Sequence, residues 1–381
     1  MPQKRTHVTK GDKVRTYWRV QYFDPDGRRR SKTFARKADA ERFEASVITD
    51  KSRGLFIDPA DGRRLFRDVA EAWRAGRIHR PSTVDQVDSH LRNHILPALG
   101  DRPISAIRPS EVQGWVRDRS EVLAPTTLKV VYRLLGSIFK TAVTDRLIPA
   151  SPCVGIRLPR IEKPRVVPLP TDAVEALINA MPERYRALVV LAAGTGLRQG
   201  EVFGLTADHV DFLRRQLTVE QQLITLPGQP QYLGPPKTTA SRRTVPLPDV
   251  VLEALSLHMA RYPLGPWGLL FTNSQGAPIN RRRFNGLWRR TADSVGISED
   301  RTFHDLRHFY ASLLISKGLS VKVVQARLGH ASAMETLDTY SHLWPDDEDL
   351  TRSAIDAVLG NSGMMGVGAG TNFAPTATAE A

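Results

Sequence analysis

One cysteine in 381 residues, Cys153, leaves no partner for an intramolecular disulfide and too few thiolates for a cysteine metal cage. No apolar run approaches the roughly 20 residues that cross a bilayer. The N-terminal MPQKRTHVTK carries basic residues with no apolar segment behind them, so neither a membrane span nor a secretory leader is expected. There is no internal repeat, no glycine-rich nucleotide loop, and no carboxylate or His/Cys cluster suited to a metal, so no cofactor is expected. Acidic residues are also scarce: 40 Asp and Glu stand against 54 Lys and Arg, a net charge of +14. The imbalance is uneven, because residues 1–54 hold 15 Lys and Arg and only 7 Asp and Glu, a net +8. Positive charge concentrated in this way suits a polyanionic partner, with salt-dependent contacts to phosphates. What remains is ordinary for a folded chain, 41% hydrophobic and 25% charged. Its length calls for two or three domains. These features together fit a cytoplasmic protein.

Along the chain the hydrophobic period changes. VRTYWRVQY (14–22) alternates like a strand, Asp24-Pro25-Asp26-Gly27 has the composition of a turn, and residues 28–35 read as a returning strand. A helix from Lys37 follows, with Ala40, Phe43 and Val47 on one face. Arg28, Arg29 and Arg30 beside Tyr17, Trp18 and Tyr22 suggest a sheet that faces nucleic acid. From Leu65 the period is that of helices. Phe66, Val69, Ala70 and Trp73 form a first stripe. Ser82 is expected to cap a second helix, with His90, Leu91, His94 and Ile95 inside, and Ser110 a third. Pro125 opens a fourth, carrying Leu128, Val131, Leu135, Ile138 and Phe139. The expected divisions are a basic sheet unit over 1–56, a helical bundle over 65–148, a proline-rich linker over 149–168, a larger domain over 169–358, and a disordered Gly/Ala/Thr-rich tail over 359–381. Within the larger domain, helices precede Gly194-Thr195-Gly196, strands fill 214–247, and helices occupy 248–261, 280–295, 304–317, 320–328, 332–343 and 347–358. The fold class is thus multidomain and mainly α, with small β-sheets.

Singly, the residues able to do chemistry are ambiguous. Arg198 could be a surface charge, Lys237 a turn lysine, His304 and Arg307 an accidental pair three apart on a helix, His330 a helix end, and Tyr340 one of 8 tyrosines packed in a core. Their order is more telling. GTGLRQGEVFGL, PPKTTASRRTVPL, HDLRH and LGH follow one another, with a tyrosine ten residues after the last histidine. This series resembles the phage-integrase family of tyrosine recombinases from about 168 to 350. Residues 65–148 look like that family's SAM-like core-binding bundle. More loosely, the first 56 residues look like the three-stranded arm-type DNA-binding domain of phage-type integrases.

The resemblance implies a DNA strand transferase that works through a 3′-phosphotyrosyl intermediate and a Holliday junction, as a homotetramer on core-type and arm-type attachment sites. A host DNA-bending protein and an excision directionality factor are possible partners. The residue chemistry agrees. Tyr340 can be the nucleophile, storing the bond energy in a phosphotyrosine. Arg198 and Arg307 can grip phosphate oxygens with planar forks. Lys237 is implied as proton donor to the leaving 5′ oxygen, His304 as general base, and His330 as a hydrogen-bond partner of a non-bridging oxygen. Glu201 is expected to orient Arg198 or a histidine. Arg281 and Arg282 are expected to line DNA. His308, one residue past Arg307, is placed off the His304 face and given no role, and His342 is read as a spectator. A chromosome-dimer or transposon recombinase or a cointegrate resolvase, a type IB topoisomerase-like enzyme, and a non-catalytic DNA-binding regulator remain alternatives. The basic N-terminal unit argues against the first, and the complete residue set against the last.

Overall fold

In the computed structural model, described for residues 1–8, 14–23, 27, 29–52, 58, 61–162, 165–344 and 348–359, the chain divides into two units, Met1–Lys163 and Pro164–Ala381. Arg28 and the tail over 360–381 lie outside the described residues.

The first unit begins with an antiparallel sheet of β1 (Gln3–Val8), β2 (Val14–Phe23) and β3 (Arg29–Phe34), in that order. The two strands read from alternation are therefore joined by a third at the N-terminus. α1 (Lys37–Ser52) covers one face of the sheet, burying Ala40 and Val47 against Val20, with Phe43 edge-on to Tyr22 at 5.6 Å. The register puts Trp18 opposite Phe34, Val20 opposite Lys32 and Tyr22 opposite Arg30, all on this covered face. Arg19, Gln21 and Phe23, paired with Thr33, Ser31 and Arg29, point the other way.

A helical bundle follows: α2 (Phe66–Ala75), α3 (Pro81–His90) prolonged by a π-turn over Leu91–Ile95 and by α4 (Leu96–Leu99), then α5 (Pro109–Ser120) and α6 (Pro125–Thr144). The expected stripes form its core. Phe66, Val69, Trp73, Leu91, Ile95, Leu128, Leu135 and Phe139 are all buried, and the Phe66 and Phe139 rings meet at 5.2 Å. The expected caps differ. α3 and α5 start at Pro81 and Pro109, with Arg80 and Arg108 at the N-cap, so Ser82 and Ser110 lie inside the first turn. Proline at N1 has no N–H to satisfy, and its fixed φ starts the helix without a serine. In α5 the Glu111 carboxylate accepts from the Arg108 N–H at 3.0 Å.

The second unit is built around α8 (Glu183–Thr195), whose ALVVLAA run is apolar on every side because it packs on both α10 and α12. α7 (Thr171–Ala180) precedes it and the short α9 (Gln199–Phe203) follows. Antiparallel strands β4 (Val210–Asp211), β5 (Gln216–Val219) and β8 (Arg243–Pro246) form one small sheet, and β6 (Gln222–Ile224) and β7 (Tyr232–Gly234) form another. The rest is helical: α10 (Asp249–Arg261), α11 (Arg281–Ser294), α12 (Asp305–Ser316), α13 (Val321–Leu328), α14 (Ala333–Tyr340) and α15 (Glu348–Leu359). Among the described residues no helix is long and apolar enough to cross a membrane. None of them form a group of three or more His, Cys, Asp or Glu placed to hold a metal ion.

Candidate active site

Two left-handed glycines frame the site. α8 ends at Gly196 (φ 64°) and α13 at Gly329 (φ 65°), conformations that a Cβ disfavours. A Cβ on Gly196 would lie 2.4 Å from the Tyr310 ring. These turns aim main-chain carbonyls at two arginines. Arg307, on the first turn of α12 and 2% exposed, donates to Gly196 O at 2.8 Å and Leu328 O at 2.6 Å. Arg198, at the N-cap of α9, donates to Gly329 O at 3.3 Å and to Ser241 Oγ at 3.2 Å. The motifs GTGLR and LGH thus owe their glycines to the need to point carbonyls inward at guanidinium groups.

Glu201 ties this frame together. Its carboxylate, 4% exposed, accepts from the Arg198 backbone N–H at 2.9 Å and the Arg198 side chain at 3.0 Å. It also accepts from both ends of Arg243, at 2.8 and 3.2 Å. Burial alone would raise its pKa, but the Arg243 hydrogen bonds and charge, followed by Arg198, hold it below the ordinary glutamate value. Glu201 therefore orients two arginines and no histidine. Arg243 itself, with a side chain 5% exposed, donates from Nε to Arg327 O at 2.8 Å. The sequence reading missed it. The available signal was strand alternation, which puts Arg243 on the same side of β8 as buried Val245.

Tyr340 ends α14, whose N-cap Ser332 accepts from the Glu335 N–H. The tyrosine is 1% exposed and its ring lies parallel to that of His330, 6.4 Å away. Burial pushes its hydroxyl pKa up to about 12, while Arg307 and Arg198 pull it the other way. His330 Nδ1 is 2.9 Å from the buried Thr336 hydroxyl, and burial, then Arg307, lowers its pKa to about 4. The partner of the Tyr340 hydroxyl is His308, whose Nδ1 is 2.8 Å away. His308 does not lie off the His304 face, as its place beside Arg307 had suggested. The two are four residues apart and share a helix face, with rings edge-to-face at 5.0 Å.

A cleft of about 600 Å³ opens in front of this cluster, walled by Arg198, Lys237, Arg281, Asn285, Trp288 and His304. Lys237 is exposed in the turn after β7. His304 is exposed as a whole residue, yet its ring is enclosed enough that burial, and then His308, Arg307 and Arg198, lower its pKa. Arg281 donates to Gln199 at 2.8 Å, and Gln199 to Asn285 at 2.7 Å. The arginine run of α11 is therefore divided, with Arg281 and Arg289 on the cleft wall and Arg282 exposed away from it.

Arg198, Glu201, Arg307, His330 and Tyr340 thus form one cluster, and Lys237 and His304 line the cleft before it. His342 donates from Nε2 to Val166 O, 2.8 Å away, and takes no part. In the first unit the N-terminal candidates separate. Trp18 and Arg30 lie on the helix-covered face, with Lys37 Nζ 5.7 Å from the Trp18 ring and Arg30 3.5 Å from Asp58. Arg29, hydrogen-bonded to Gln21, lies on the open face with Arg5, Tyr17 and Arg19.

Known proteins are similar to this chain in sequence and in fold. Residues 168–346 match the phage integrase family, and residues 66–158 the phage integrase central domain. A protein named as the prophage phiRv2 integrase of Mycobacterium tuberculosis is 30% identical over 341 residues, covering 85% of this chain and 88% of its own length. The fold is like that of the Tn1549 transposon integrase in complex with transposon right-end DNA (TM-score 0.67, 22% identity, 78% of this chain and 100% of that one). It is also like that of a lambda integrase tetramer bound to a Holliday junction (TM-score 0.58, 18% identity, 87% and 96%).

Proposed function

We propose, for a chain that belongs to the phage integrase family of tyrosine-type site-specific recombinases, that Tyr340 is the residue that cuts and rejoins DNA. The observation that carries this reading is the placement of a buried phenol beside Arg198, Arg307 and His330, behind a cationic cleft. Attack of the Tyr340 oxygen on phosphorus forms an O–P bond and breaks the bond to the 5′ oxygen, leaving a 3′-phosphotyrosine. Arg198 and Arg307 neutralise the charge on the non-bridging oxygens, with His330 hydrogen-bonded to one of them. Their frame of carbonyls and Glu201 fixes both forks before substrate arrives, so little reorganisation remains for the reaction. Lys237, exposed on its turn, supplies the proton to the departing oxygen.

The three-domain division falls under the same reading: 1–56 for arm-type sites, 65–148 for the core site, 149–168 as a linker and 169–358 for catalysis. Arg5, Tyr17, Arg19 and Arg29 form the open-face surface suited to DNA in the first of these. Lambda integrase has been observed as a tetramer on a Holliday junction. The same assembly here would use α15, which presents exposed Ile355 and Val358 to a neighbouring protomer. A DNA-bending host protein and a directionality factor are the partners this reading allows, and a bacterial cytoplasm is its setting.

A nicked core-site suicide substrate tests the assignment. Wild type should become trapped as a covalent protein–DNA complex, and Tyr340→Phe should give none. A complex of equal yield with Tyr340→Phe would place the nucleophile elsewhere, and none with either protein would favour the non-catalytic regulator.

A further inference from the structure

Among the described residues, the Tyr340 hydroxyl has one hydrogen-bond partner, His308 Nδ1 at 2.8 Å. Their rings meet at 66° with centroids 5.6 Å apart. His304, the base suggested by the sequence, instead faces the cleft with Lys237 and touches the pair through the edge of the His308 ring. Burial holds His308 below the ordinary histidine value. Asp305 opposes that effect, and Arg307 and Arg301 add to it. The imidazole is therefore neutral at neutral pH. A neutral phenol can donate or accept, and in the imidazole tautomer that carries its hydrogen on Nε2 the phenol donates and Nδ1 accepts. The charged and titratable groups around it are His304, Asp305, Arg307 and Arg301 on or before its own helix, and Tyr340 facing it from α14.

We propose that His308 is a catalytic residue, taking the Tyr340 proton on Nδ1 as the phenolic oxygen attacks phosphorus. This rests on Tyr340 being the nucleophile. The O–P bond forms as the P–O5′ bond breaks, and the 5′ oxygen leaves with its electron pair and receives a proton from Lys237. His308 ends as an imidazolium next to Asp305. In rejoining, the 5′ hydroxyl attacks phosphorus as Lys237 takes back its proton, the Tyr340 O–P bond breaks, and His308 returns its proton to the departing phenolate. The site then separates its proton traffic. The acceptor is enclosed behind the arginines, and the donor is exposed on the cleft wall.

The test is single-turnover cleavage of the nicked substrate across pH 5–8 by the full chain, with melting temperature and DNA affinity measured alongside. His308→Asn keeps an acceptor atom near the Nδ1 position but is no base, and His308→Gln repeats the comparison with a side chain of different reach. Cleavage by both should fall about 10²-fold or more, and the loss of rate towards acid pH seen with wild type should disappear. A substrate with sulfur at the 5′-bridging position, whose thiolate leaves without a proton, should rescue Lys237→Ala and not His308→Asn. Wild-type rates in both variants would overturn the proposal. So would slow cleavage that keeps the acid limb, which makes His308 a mere support, or rescue by the sulfur substrate, which moves the defect to the leaving group. Failure of the nucleophile assignment would show separately, as a covalent complex with Tyr340→Phe.

Discussion

Glu201 holds Arg198 and Arg243 at once, from a position 4% exposed. Breaking a buried ion pair on one side leaves an uncompensated charge, at a cost of about 3–5 kcal/mol. Glu201→Gln should therefore lower stability by that order in urea unfolding of the intact chain, and should slow cleavage by loosening Arg198. A variant as stable as wild type would show that Arg243 finds its compensation elsewhere. Arg198, Arg307, His330 and Tyr340 were legible in the sequence because each sits in a motif whose glycines or spacing mark it. Arg243 was not. In ASRRTVPL it reads as one more basic surface residue, and only its alternation with Val245 shows that it points inward. Nor was His308 legible, because its place beside Arg307 hides the helical phase that it shares with His304, four residues away. Inward orientation and helical phase are three-dimensional facts that a motif carries only when it is counted from the right residue.

At the level of elements, helix existence was plain, and of the helix starts those of α3 and α5 were not. The apolar stripes of α2 and α6 are buried where the period puts them. The caps of α3 and α5 were misjudged because a proline at N1 begins each without the serine that sequence rules look for first, whereas Pro125 at the start of α6 was read as it stands. Helix ends were clearer, since glycine at C′ has few rivals. Both Gly196 and Gly329 do more than stop a helix, because the carbonyls at those turns hold the arginine forks. Gly196→Ala should cost about 1–2 kcal/mol for its left-handed backbone alone. The contact with Tyr310 adds to that cost. Urea unfolding should show the loss, and the displaced Gly196 carbonyl should reduce cleavage as well. Gly329→Ala, whose Cβ would lie 3.0 Å from Ala240 O, should be milder.

For the whole molecule, protonation offers a test of how closely the site is packed. His304, His308, His330 and His258 all have lowered pKa values, with burial the leading cause in each. Below about pH 6.5 the unfolded chain binds protons at these positions that the folded chain refuses, so stability rises with pH there. The melting temperature should be level above pH 7 and fall from pH 6.5 towards 4.5. Glu201, also lowered, adds its own loss only at more acid values. A flat profile between pH 7 and 5 would mean that the histidines are open to water. The same site has a consequence for the protein's persistence. Three guanidinium groups, Arg198, Arg243 and Arg307, gather around one carboxylate, Glu201, so the folded state carries a standing excess of positive charge that an anion relieves. A ligand present at 100 times its Kd adds about 2.7 kcal/mol to the folded state. Cognate duplex DNA, and more weakly sulfate, should therefore slow digestion of the second unit by protease. Molecules without DNA would be the first to be degraded, which ties the lifetime of the recombinase to the occupancy of its site.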